Sequence, residues 1–316
     1  MHQHLLVVID DSDLSMTVVG QALALASCLT ARVSFLHLRP APGGANKGQA
    51  ALAKAEAAGR AMGLACGGFS AVTAAAADAT LEAARRLGCD LVMTVLQSRP
   101  EMLAALLAGK LPVQIAVVEA PAPAARALAE IRREHRALSE ALLAWQDVLA
   151  SAAATQQPDI AAPAGMDLML RGLADLTSLQ RRSPLSPLLF RLLRLRTSRL
   201  NAELDELVRQ QQRDAQLLAD LSAAAHCLAD GGGAEALTAF QLFLQRYCDL
   251  VWEQLGREEG VVLPAALQWL LAEDWLLLDA ACEQGPPSAP GQPSVEPAKP
   301  ALKALREGAG DDPVSA

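Results

Sequence analysis

The sequence predicts an α/β parallel-sheet domain of Rossmann-like type, followed by an all-α antiparallel four-helix bundle. Three observations carry this. Over residues 1–119, short apolar runs rich in Val, Ile and Leu alternate with longer helical patterns, as in a parallel sheet covered by helices on both faces. After "EAPAPAA", 119–125, the strand pattern does not return, and apolar residues recur at steps of three and four. The composition is 52% hydrophobic but only 3% aromatic, a balance that suits helices packed on helices or on a sheet.

The elements follow in order. "HLLVVID" is the first strand, and a helical segment over roughly 14–30 leads to the second, "ARVSFLHL". The helix "NKGQAALAKAEAAGRAMG" precedes a weaker strand, "GFSAVTAA". Next come the helix "ATLEAARRLG", the strand "CDLVMTVL", the helix "EMLAALLAG" and a final strand, "PVQIAVVEA". Residues 120–125 form a Pro/Ala linker. The bundle is expected over 126–284, with breaks at "TQQPDIAAPAG", "RSPLSP" and "DGGGA". From 285 to 316 the chain is rich in Pro, Gly and charge, and is expected to be a disordered tail.

The totals exclude several functions. A net charge of −8 and a pI near 5.2, with no dense Lys/Arg block, argue against a nucleic-acid partner. The uncharged stretch 14–31 contains Ser, Thr and Gln, so it reads as a buried helix and no membrane span is expected. "HLLVVI" is short and meets Asp10 and Asp11 at once, so no secretory signal is read there and a cytoplasmic protein is expected. Six cysteines without a C-x-x-C pair are expected to be reduced thiols. Five histidines limit any histidine-rich metal site.

"VVIDDSDLS" after the first strand and "CDLVMT…LPVQIAVV" at the end of the α/β part resemble the universal stress protein family over about 1–119. The resemblance implies a five-stranded parallel sheet and dimerisation through the last strand, here the segment bounded by Pro112 and Ala120. Members that bind ATP place an Asp at the end of the first strand, matched by Asp10. They lay the phosphates on G-x-x-G followed by G-S or G-T. Here the two glycine positions are Thr94 and Gln97, and the following stretch has only Gly109. Backbone N–H groups must approach phosphate with no Cβ in the way, so Asp10 reads as a vestige or as a cap of the next helix.

In the second part the apolar stripe of the first helix is Leu128, Ile131, His135, Leu138, Leu142, Trp145 and Leu149, with a histidine in its middle. The third helix gives Leu200, Leu204, Leu207, Gln211, Leu218, Leu221 and Ala225. The fourth gives Phe240, Leu244, Tyr247, Val251, Gln254 and Glu258. A polar layer of His135, Gln211, Gln254 and Glu258 should therefore point inward. Its members need partners, because burying an unpaired charge costs several kcal/mol.

"IRREHRAL", "LLFRLL", "ELVRQQQRD" and "YCDLVWEQLGREEGVVLPAA" resemble the hemerythrin-like family over roughly 126–283. Such domains hold a di-iron centre through a His on the first helix, His, His and Glu around the second, a His on the third, and His-x-x-x-Glu on the fourth. His135 matches the first ligand and Glu258 the last. The other positions carry Arg181, Arg182, about Leu185, Gln211 and Gln254. Arginines repel a cation, neutral glutamine is a feeble iron ligand, and Pro184 and Pro187 interrupt the second helix. No metal is expected. His135, Gln211, Gln254 and Glu258 should instead bond to one another, with Arg181 or Arg182 adding positive charge.

The remaining candidates read as ordinary surface. His226 fits a helix end, and Arg191, Arg194, Arg196 and Arg199 fit a solvated face paired with the acids of "ELDEL". The expected function is that of a non-catalytic, stress-associated regulatory or adaptor protein, dimeric and with an unidentified protein partner. An iron-binding oxygen or redox sensor is the first alternative, and an ATP-binding switch the second.

Overall fold

The computed structural model describes residues 3–10, 15–39, 45–95, 104, 106, 114–118, 126–155, 170–175, 177–178 and 183–284. Five strands form one parallel sheet: β1 (His4–Ile9), β2 (Arg32–Arg39), β3 (Cys66–Val72), β4 (Leu91–Val95) and β5 (Gln114–Val118), in the order β3-β2-β1-β4-β5. All six residues of β1 are buried, which is why its sequence is apolar throughout instead of alternating. The strand order reverses between β1 and β4, so the carboxyl end of β1 lies at the switch point of the sheet.

Helices α1 (Ser15–Leu29), α2 (Ala45–Ala61) and α3 (Ala76–Leu87) connect the strands. One core joins β1, β2 and β4 residues such as Leu5, Val7 and Phe35 to α1 and α2. The opposite face of the sheet, with Leu6, Val8 and Leu36, packs on α3. Of the expected helix at 101–109 only residues 104 and 106 are described, and both are helical.

Helices make up most of the described second part: α4 (Arg126–Thr155), α5 (Leu185–Arg196), α6 (Asn201–Ala229) and α7 (Gly233–Arg257), then a π-helical segment (Glu258–Val262), α8 (Leu263–Trp269) and α9 (Ala272–Gln284). Pro184 sits at the N-cap of α5, and Pro187 falls in the first turn, where its missing N–H is tolerated. The turn between α6 and α7 uses Gly231 and Gly233 at positive φ. The π segment precedes Pro264, which has no N–H to give the carbonyl of Gly260 and whose ring would press on it in a regular helix. Widening the turn relieves that conflict.

The helical part lies directly on α1 and α2. A Cβ on Gly256 would stand 2.8 Å from both the carbonyl carbon and the Cα of Lys54, and closer still to its oxygen. At Gly260 it would meet the Cβ of Ala58 at 2.5 Å, and at Gly20 the Cγ of Pro264 at 2.7 Å. The Ala-rich surface of α2 makes this approach possible, with Ala55 and Ala58 fully buried. The cores cross the junction as well: Val261 belongs to the core under α1 and α2, while Ala50 belongs to that of Trp145 and Trp252. No described helix is long and apolar enough to cross a membrane.

Candidate functional site

The charged groups of the two parts meet where α4, α7 and the π segment close on α2. His135, on the inward stripe of α4, is 2% exposed. Its Nε2 lies 3.1 Å from Glu258 Oε2 and its Nδ1 3.0 Å from Glu259 Oε1. An ionised carboxylate only accepts hydrogen bonds, so a ring held between two of them donates from both nitrogens as an imidazolium. Burial alone would lower its pKa, but the two glutamates outweigh that and raise it to about 9. Burial would raise the pKa of Glu259, yet Lys54, His135 and Arg132 together pull it down to about 2.

Neighbouring residues on a helix point about 100° apart, and Glu258 and Glu259 accordingly approach the ring from different sides, one at each nitrogen. Glu258 and Glu259 open the π segment, and the ring lies between their carboxylates. Beyond Glu259 the cluster reaches into the α/β part. Lys54 Nζ donates to Ser139 Oγ at 3.0 Å, lies 3.9 Å from Glu259 Oε1 and stands 5.6 Å from the ring centre of Trp252. Arg132 Nη2 donates to Thr17 Oγ1 at 3.3 Å.

A cleft of about 230 Å³ opens beside this cluster at the carboxyl end of β1. Its α/β wall carries Asp10, Ser15, Lys47 and Lys54, and its helical wall Arg132, Arg136, Ser139 and Glu140, with Trp252 and Glu259 at the junction. Helices α2 and α4 run antiparallel along it. Asn46 Nδ2 donates to Asp147 Oδ1 at 3.0 Å, and the Lys54–Ser139 bond lies eight residues further along one helix and eight back along the other.

The expected residues fall out unevenly. His135 and Glu258 meet, as the stripe required. Gln254 is buried, but its Nε2 has no partner among the described residues. Gln211 is only half-buried. Gln210 takes the interior position at 2% exposure and donates from Nε2 to Glu253 Oε1 at 3.1 Å. Both glutamines straddle the seam of α6, and the following interior residue is Asp214. The expected four-residue polar layer is thus a pair, His135 and Glu258, completed by Glu259 and Lys54, which the stripe did not reveal. Arg181 and Arg182 lie outside the described residues.

In the α/β part, the backbone N–H of Asp10 donates to Ser15 Oγ at 2.9 Å, and the Ser15 hydroxyl donates to Asp10 Oδ1 at 2.8 Å. Asp10 therefore ties the end of β1 to the start of α1. Thr94 is buried in β4, while Gln97 and Gly109 lie outside the described residues. His226 sits exposed in the last turn of α6, its Nδ1 2.7 Å from the carbonyl oxygen of Ser222. Arg194 pairs with Asp205 at 2.6 Å, Arg196 with Glu273 and Asp274, and Arg199 stacks over Trp269. Burial pushes the thiols of Cys89 and Cys248 up to about 11 and about 12, away from reactive thiolate. Among the described residues no group of three or more His, Cys, Asp or Glu is arranged to hold a metal ion.

No family model matches the sequence, and no curated protein matches it. Among solved structures, the N-terminal part is similar to a protein of the universal stress protein family from Burkholderia pseudomallei. That match has 20% identity, covers 38% of this chain and 97% of the other, and has a TM-score of 0.33. A universal stress protein in complex with cAMP is similar at 22% identity, over 37% of this chain and 97% of the other, with a TM-score of 0.32.

Proposed function

We propose that this is a non-catalytic regulatory protein of the cytoplasm, a stress-associated adaptor. In this reading a universal-stress-type half is joined to a hemerythrin-like four-helix bundle whose metal centre has been replaced by an internal ion cluster. One observation supports it above the others: both ring nitrogens of His135 are engaged by Glu258 and Glu259. An imidazolium has no lone pair for a metal, and metal binding would first have to expel its proton. Glutamine at 254 and the displacement of Gln211 from the interior remove two further ligand positions. The rival reading, an iron-binding oxygen or redox sensor, requires those ligands.

Elemental analysis after anaerobic reconstitution with ferrous iron and desalting tests the reading. We expect iron at background. Close to two irons per chain, or one iron lost on replacing His135 with alanine, would instead make the bundle a metal sensor.

Adaptor action fits a dimer built through β5, which is an edge strand among the described residues and so leaves a row of backbone donors and acceptors open to a second copy. Proline at Ile115 removes a ladder donor. The expected result in analytical ultracentrifugation is a dimer for the parent chain and monomer or unfolded protein for Ile115→Pro. A well-folded Ile115→Pro dimer would exclude pairing through this strand.

A further inference from the structure

We propose that the cleft between α2 and α4 binds a small phosphate-bearing anion, smaller than a nucleotide, which bridges the α/β and helical parts through Lys47, Lys54, Arg132 and Arg136. This deepens the regulatory reading by giving it a ligand class. In a chain of net charge −8, the cleft carries four cations against the carboxylates of Asp10, Glu140 and Glu259. One of these, Glu259, is already bonded to His135. The cations come from both parts: Lys47 and Lys54 lie two turns apart on one face of α2, Arg132 and Arg136 one turn apart on α4.

The positions differ in a way that suits binding. Lys54 is held at the floor by Ser139, Glu259 and the Trp252 ring, whereas Lys47 stands exposed at the rim across from Arg136, where a long side chain can close on an anion. Arginine and lysine are the usual partners of phosphate oxygens. Residues at the start of α1 also line the cleft, and the positive end of a helix dipole favours an anion there. At about 230 Å³ the cleft is below the roughly 300–1,000 Å³ of sites for drug-sized ligands. That favours inorganic phosphate or a small phosphate monoester over a nucleoside triphosphate.

The test is thermal unfolding of the full chain titrated with inorganic phosphate, against sodium chloride at matched ionic strength and against Mg-ATP. Phosphate is expected to raise Tm saturably, with a Kd of about 1 mM or tighter. The variant Lys47→Gln should melt like the parent without phosphate, because its side chain is exposed, and should bind phosphate about ten-fold more weakly. Arg85→Gln, on α3 across the sheet, should bind as the parent does. The proposal is overturned if phosphate acts no more strongly than chloride, if Lys47→Gln keeps full affinity, or if Arg85→Gln loses as much. Stabilisation by Mg-ATP beyond that by phosphate would overturn the size limit. None of these outcomes bears on iron content, so failure here is distinct from failure of the metal-free reading.

Discussion

Gly256→Ala is expected to destabilise the protein by about 3 kcal/mol. At an ordinary helical position the same change stabilises by roughly 0.5–1 kcal/mol, because alanine loses less chain entropy than glycine. Here the sign reverses. The added methyl would enter the backbone of α2 at Lys54, and a backbone cannot rotate aside as the end of a side chain can. Moving α7 off α2 would separate Glu259 from Lys54, part Val261 from the core beneath α1, and loosen the contact of Gly20 with Pro264. Urea denaturation of the variant measures the loss. Gly67→Ala in β3 is the control, since a Cβ there meets nothing within 4 Å, and it should change stability by a few tenths of a kcal/mol. Equal stability for Gly256→Ala and parent would mean that the two parts are not in contact as described.

His135→Ala is expected to cost about 3–5 kcal/mol, because it leaves Glu258 and Glu259 facing each other without their shared cation. Removing one partner of a buried ion cluster is more damaging than the worth of the cluster itself, since the remaining charges stay desolvated. The pH dependence has a definite sign. The pKa of His135 is raised from 6.5 to about 9, so its contribution is full below pH 6.5 and disappears as the pH rises through 9. That of Glu259 is lowered from 4.5 to about 2, so its contribution is full above pH 4.5 and is lost as the pH falls toward 2. Stability from this cluster should be greatest between about pH 4.5 and 6.5. The alkaline decline should be present in the parent and absent in His135→Ala; a decline of the same size in both would remove His135 as its source.

The sheet was legible because most of its strands are apolar runs set off by helical spacing, and β1, β2 and β4 fall where "HLLVVI", "RVSFLHL" and "LVMTV" stand. His135 was legible for a related reason: it interrupts a stripe of three-and-four steps, so its burial followed from position alone. Glu259 was not, because the residue after an inward-facing Glu258 is turned about 100° away from it on a helix, and only the packing of α4 and α2 against this segment brings His135 and Lys54 to it. Gln210 and Gln211 lie either side of one seam, and spacing cannot choose between them; packing of α6 on α7 does. Lys54 reads from sequence as one more charge on an Ala-rich helix, and nothing local announces that α4 and α7 will cover it. The cleft has the same origin. Its cations are separated by some eighty residues of chain, and it exists only where the two parts close on each other.

The proposed function rests on His135 being a cation locked between the carboxylates of Glu258 and Glu259. Long-range proton–nitrogen correlation NMR of the nitrogen-labelled full chain, with His135 assigned through its ring-to-Cβ connectivity, reads this directly. The account predicts both ring nitrogens protonated at pH 7.5, with loss of a proton only as the pH approaches about 9. An unprotonated nitrogen on His135 at pH 7.5 would contradict it, and would restore to the helical part a lone pair that a metal could take.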